Sequence, residues 1–165
     1  MKNFCDKYNV SRETFDKLKL CQSVLEEWQQ NLKLHIPQMD EHTFLVAHGL
    51  SCVSVLNFLQ EHYIQQQRKI GGIILVSAFD TPLVAWSELN KILQAVRLDL
   101  KNLPYSYKRA VMLISSNDPY VPAPISLRLA HSLNAQIFEI KKAGHFNKSD
   151  GFAEFPQLLD IIKQC

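Results

Sequence analysis

No run of Lys or Arg longer than two residues occurs in the 165-residue chain, and the formal net charge is only +2. A nucleic-acid groove or an anionic membrane face calls for a denser basic patch, so neither partner is expected. Long apolar runs are missing too. The longest, such as Gly71 to Val76, are strand-sized and far short of the roughly 20 residues that span a bilayer. The first residues, Met1 to Asp16, are polar and charged, unlike a secretory leader, and a soluble, cytoplasmic protein is expected. Cysteine is sparse and scattered. Cys5, Cys21, Cys52 and Cys165 form no CxxC pair and no cluster with histidine at metal-ligand spacing. Reduced thiols are expected, with no disulfide framework, no metal site and no cofactor. No repeat, low-complexity segment or Gly/Ser linker divides the chain.

What is present is apolar material for one core. Apolar residues make up 47% and charged residues 21%, which fits a single domain over residues 1–165. Residues 1–22 are less regular than the rest. Ser11 and Thr14 can open a short helix through Leu20. A clearer helix is expected from Ser23 to His35, with Val24, Leu25, Trp28, Leu32 and Ile36 on one face. Ser23 with Glu26 resembles a capping box, and Pro37 ends the helix. Trp28 and Trp86, each on an apolar helix face, are expected in the core.

Four short apolar runs read as buried strands: Thr43 to Ala47, Ile70 to Ser77, Arg109 to Ser115 and Gln136 to Ile140. Helical patterns separate or follow them at Leu50 to Gln66, Leu83 to Val96, Ala123 to Leu133 and Phe155 to Lys163. Strands alternating with helices imply right-handed crossovers and a mainly parallel sheet covered on both faces. The expected fold class is therefore an α/β three-layer α/β/α sandwich. Sites in such sheets lie beyond the C-terminal strand ends.

Three strand ends carry chemistry. The first is followed by His48-Gly49-Leu50-Ser51-Cys52, the third by Asn117-Asp118-Pro119-Tyr120, the fourth by Gly144-His145-Phe146. A strand-to-helix elbow, then an acid, then a histidine is the chain order of an α/β-hydrolase triad. In that chemistry the histidine takes the nucleophile's proton and returns it, while the carboxylate fixes the tautomer and stabilises the imidazolium. The N–H after the nucleophile, here Leu50, faces the developing oxyanion at a helix N-terminus. The elbow pattern is small-x-Ser-x-small. Ala47-His48-Gly49-Leu50-Ser51 instead puts Gly49 at the apex, as if Ser and Gly had been exchanged. A shifted register with Ser51 at the apex puts β-branched Val53 where a small residue belongs. Ser51 otherwise reads as a first-turn helix residue and Cys52 as a small packed hydrophobe. His48 is expected to pack rather than react. Tyr105, Tyr107 and Tyr120 are candidates for the pocket mouth.

Several segments together resemble the YdeN-like hydrolases, relatives of the retinoblastoma-binding-protein type of serine hydrolase. Thr43 to Cys52 is similar to that family's TYLVAHSLGC. Leu25-Glu-Glu-Trp28, Gly71 to Phe79, Asn117 to Pro122, Gly144-His145-Phe146 and Asp150-Gly151-Phe152 resemble its flanking segments. The resemblance covers roughly the last 140 residues and implies a truncated α/β-hydrolase fold acting on small ester-like substrates. Asp118 and His145 carry over as catalytic residues, and Gly49 as the position of the missing serine. It also implies an earlier strand ending in His-Gly that supplies a second oxyanion donor. No such strand precedes Leu25, so residues 1–24 form an atypical N-terminal segment, and a piece of a longer protein would leave an exposed sheet edge. Three functions are expected to compete: a weak or inactive hydrolase homologue, an active one using Ser51 as candidate nucleophile with Asp118 and His145, and a non-catalytic binder of a ligand or partner protein.

Overall fold

The computed structural model describes residues 12–35, 38–64, 66–84, 90, 93 and 96–164, and for residues 12–22 the backbone alone. Helix α1 spans Arg12–His35, strand β1 Phe44–His48 and helix α2 Leu50–Leu59. Strand β2 is Ile70–Val76, β3 Tyr107–Ser115, α3 Ala123–Ser132, β4 Gln136–Ile140 and α4 Pro156–Lys163. The four strands pair in parallel in the order β1-β2-β3-β4.

The central strands of this parallel sheet are buried on both faces. All seven residues of β2 are buried. Ile73 and Leu75, with Ala110, Met112 and Ile114 of β3, face one core cluster. Cys52, Val55, Leu56 and Leu59 of α2 and Leu129 and Ala130 of α3 cover that face. The alternate residues Ile74, Val76, Val111 and Leu113 face a second cluster, capped by Ile161 of α4 and by Ala143 and Phe146. The period of two along each strand thus assigns side chains to two layers of cover. Helix α1 packs outside α2, where the Gln29 side-chain amide donates to the Ser54 carbonyl at 2.6 Å and to its hydroxyl at 3.0 Å.

Two expectations need correction. Ser23 does not open a helix: α1 runs unbroken through it. A Ser-x-x-Glu spacing is compatible with a helix interior, and no Gly or Pro interrupts residues 12–35. The long helix expected from Leu50 to Gln66 is α-helical only to Leu59 and continues as a π-helical turn, Gln60–Ile64. The expected helix Leu83 to Val96, including Trp86, falls largely outside the described residues. Helix α1 ends at His35, two residues before Pro37.

Among the described residues, strand β1 is an edge strand. The Gly72 N–H donates to the Thr43 carbonyl, and the Gly49 N–H to the Val76 carbonyl. In a parallel ladder alternate residues serve the partner strand, so the backbone groups of Phe44, Val46 and His48 point outward. The Ser51 hydroxyl closes the last of these, accepting from the His48 N–H at 2.9 Å and donating to the His48 carbonyl at 2.9 Å. At the other end of the strand pair the backbone approaches closely: a Cβ on Gly71 would lie 2.6 Å from the Glu41 carbonyl oxygen and 3.0 Å from that of Thr43. Gly71→Ala is therefore expected to destabilise the fold by about 1–3 kcal/mol, read as a lower urea midpoint. An unchanged midpoint would contradict this packing.

Candidate functional site

The parallel register delivers four chain segments to the same end of the sheet. Gly49 follows β1, Ser77 follows β2, Asp118 follows β3, and His145 follows β4. Each lies just past a strand C-terminus, where an open α/β sheet holds its ligands.

Asp118 is the hub of this end. One carboxylate oxygen accepts from the His145 Nδ1–H at 2.8 Å and from the Ser77 hydroxyl at 2.6 Å. The other accepts the backbone N–H of Tyr120 at 2.9 Å and of Val121 at 3.0 Å. The Asp118 and His145 side chains are 1% and 7% exposed. Burial pushes the carboxyl upward, but the bonds from His145, Ser77 and the two N–H groups outweigh it and hold Asp118 below the ordinary carboxylate value. A carboxylate can only accept, so the Nδ1 of His145 carries hydrogen. In the neutral imidazole Nε2 is then the basic nitrogen.

The histidine loop is held from several directions. Asp150 accepts the N–H of His145 at 3.0 Å and of Asn147 at 3.1 Å. Asn117 accepts the Gly144 N–H at 2.9 Å and the Ser115 hydroxyl at 3.0 Å, joining the acid loop to the histidine loop. His48 reaches across from the elbow, its Nε2 lying 2.8 Å from the His145 carbonyl. Because a carbonyl only accepts, the His48 Nε2 bears the hydrogen of that bond. The two imidazole centroids are 4.6 Å apart, and Tyr120 stands edge-on to His145 at 5.1 Å.

Gly49 occupies the elbow with φ 57° and ψ −123°. That positive φ is the sharp, strained turn a nucleophile elbow demands. A Cβ built there would lie 3.4 Å from the His145 Nε2 and 3.8 Å from its Cε1, with no other atom of the described residues within 4 Å. The apex thus points at the basic nitrogen. Leu50 begins α2, so its N–H has no intrahelical acceptor.

Ser51 is elsewhere. Its hydroxyl makes the two bonds to the His48 backbone and none to His145, and its side chain lines a cavity of about 420 Å³ with Trp28, Leu32 and Val46. Trp28 is accordingly a groove residue, half-buried, not a core one. Cys52 is fully buried against the Val76 carbonyl, and burial raises its thiol to about 12, so it is no nucleophile. Of the three tyrosines, Tyr120 adjoins His145. Tyr107 begins β3 at the opposite sheet end, its hydroxyl donating to the Leu133 carbonyl at 2.8 Å, and Tyr105 precedes it.

Sequence reasoning missed Ser77 and the bridging role of Asn117. Ser77 has φ 47°, rare for a non-glycine residue, and its place directly after a fully buried strand was the available signal. Among the described residues no group of three or more His, Cys, Asp or Glu side chains could hold a metal ion, and no helix is long and apolar enough to cross a membrane.

The family model described as serine hydrolase matches residues 3–164. YdeN of Bacillus subtilis (strain 168) is 34% identical over 138 residues, covering 84% of this chain and 71% of YdeN. The serine hydrolase RBBP9 of Rattus norvegicus is 21% identical over 124 residues, covering 75% of this chain and 61% of its own length. The crystal structure of the ydeN gene product superposes with a TM-score of 0.76, covering 85% of this chain and 74% of that one. A YdeN-like protein of Pectobacterium atrosepticum, 18% identical, gives a TM-score of 0.62 over 85% of this chain and 68% of its own, a likeness of fold.

Burial, and next the charge of His145, hold the His48 imidazole below its ordinary value of 6.5. The unfolded chain then binds a proton at His48 that the folded chain refuses. Its contribution to stability is present above about pH 6.5 and lost as pH falls below it. Asp118, lowered from 3.8, loses its contribution only at more acid pH. The urea midpoint is expected to fall as pH drops from about 7 to about 5.5, and His48→Gln, which keeps a donor to the His145 carbonyl, should flatten that fall. Parallel profiles for the two proteins would contradict the assignment.

Proposed function

Because the chain belongs to the serine hydrolase family, we propose that it is a homologue whose acid and base are in place but which has lost the acyl-serine route at Gly49. Catalysis is weak or absent, and what remains of the site serves to bind a small ester-like ligand. One observation carries this reading: the Gly49 apex, with its positive φ, aims at the His145 Nε2 from a Cβ distance of 3.4 Å. A serine hydroxyl on that Cβ would come within hydrogen-bond reach of the base, the arrangement acyl transfer needs. Glycine offers the backbone of the elbow without the attacking atom.

The expected cost is large. In a serine hydrolase, removing the nucleophile lowers kcat by about 10⁶, leaving only binding and oxyanion stabilisation. Ser51 is the alternative nucleophile, but its two bonds to the His48 backbone favour a role in closing the β1 edge. Ser51→Ala is accordingly expected to lower stability by about 1 kcal/mol and to leave any esterase activity unchanged. Activity that disappears in Ser51→Ala at retained fold would instead identify Ser51 as the nucleophile.

The test is restoration. The wild type is expected to take up no stoichiometric fluorophosphonate label. Gly49→Ser should take up one equivalent, at a cost of about 1–3 kcal/mol for a side chain at positive φ. Gly49→Cys provides a second variant, expected to alkylate rapidly with iodoacetamide in a manner that depends on His145. Stoichiometric labelling of the wild type, or inert Gly49→Ser and Gly49→Cys proteins that remain folded, would overturn the reading.

A further inference from the structure

We propose that the chain binds a small phosphate monoester at the end of the sheet opposite Asp118 and His145, in a cavity that Lys69 and Arg109 charge.

The cavity follows from strands that start at different levels. Strand β3 begins at Tyr107, but the first residue of β4, Gln136, pairs with Val111. Residues 107–110 therefore run past the start of β4 and leave a notch beside it. A cavity of about 550 Å³ lies there, lined by residues 107–111 and by Gln136. That volume is the size of a small-molecule site and exceeds what an inorganic ion fills. Lys69 enters from the neighbouring strand, one residue before Ile70, which pairs with Tyr107. Asn134, in the turn between α3 and β4, closes the other side of the lining.

The charge of this lining has one sign. Among the described residues no Asp or Glu takes part in it, whereas Lys69, Lys108 and Arg109 all do. Lys108 is neutralised by its ion pair with Glu41. Arg109 gives one Nη1–H to the Gln164 carbonyl at 2.7 Å, and its other guanidinium donors make no bond among the described residues. Lys69 makes no hydrogen bond or ion pair among the described residues. Two positive charges are thus left over at one cavity.

A phosphate monoester matches that count. It carries about −1.5 to −2 charge at pH 7 and three acceptor oxygens. The planar guanidinium of Arg109 can take two of those oxygens at once, and the Lys69 ammonium supplies a point charge for the third. A monocarboxylate would leave one cation uncompensated. The volume beyond the phosphate admits the esterified body. The side-chain amides of Asn134 and Gln136, free of hydrogen bonds among the described residues, offer donors and acceptors to its hydroxyl groups.

The experiment titrates the intact chain with inorganic phosphate and with glycerol phosphate, the ionic strength being held constant with KCl, by calorimetry and amide NMR. Both should bind saturably, glycerol phosphate the more tightly, with the shifted amides clustered at Lys69, Arg109 and Gln136. Lys69→Ala and Arg109→Gln should each weaken binding about tenfold. Lys69 is exposed, so its removal guards against a folding artefact. Lys101→Ala, an exposed lysine outside the cavity, should bind as the wild type does. So should His145→Gln, which alters the other end of the sheet. No saturable binding, binding of inorganic phosphate alone, an equal loss in Lys101→Ala, shifts centred on His145, or wild-type affinity in both Lys69→Ala and Arg109→Gln would each overturn the proposal.

Discussion

Everything at the functional end of the sheet converges on the carboxylate of Asp118. Four donors from three segments meet on its two oxygens: His145 from the β4 loop, Ser77 from the end of β2, and the N–H groups of Tyr120 and Val121 from its own turn. An almost wholly buried carboxylate without them would carry a desolvation cost of several kcal/mol. With them it stays ionised and locks the orientation and tautomer of the imidazole. The parallel register makes the convergence inevitable, since the C-terminal ends of β2, β3 and β4 lie side by side.

Around that hub the loops hold one another by hydrogen bonds, beside the packing of Ala143 and Phe146. Asn117 joins the acid loop to the histidine loop, Asp150 collects two N–H groups of the histidine turn, and His48 ties that turn back to the elbow. The elbow turns at φ 57°, a conformation that glycine adopts without strain. On the proposed reading, the geometry of the elbow is kept and the attacking atom is lost at one residue. The serine two positions on is held by a different task, satisfying the outward backbone groups of His48 on an edge strand.

Much of this was legible in the chain itself. Ile70–Val76 reads as a buried strand because it is buried on both faces, and Gln136–Ile140 falls where its pattern puts it. Asp118 and His145 stand out because triad chemistry fixes their chain order and their place after strands. What stayed hidden depends on partners distant in sequence. Ser77 is one more serine until β3 brings Asp118 beside it. Tyr107 and Tyr120 flank the same strand, yet β3 separates them to opposite ends of the sheet, so only Tyr120 meets His145. Ser23 misled because a local capping pattern also fits the interior of a longer helix.

The central claim is that position 49, not position 51, faces the base. A Gly49→Ser protein carries both serines in one chain and lets them compete for the same fluorophosphonate. Tandem mass spectrometry of the labelled peptide reads the outcome directly. The account predicts the adduct on position 49 alone, abolished by His145→Gln; an adduct on Ser51, in that protein or in the wild type, would contradict it.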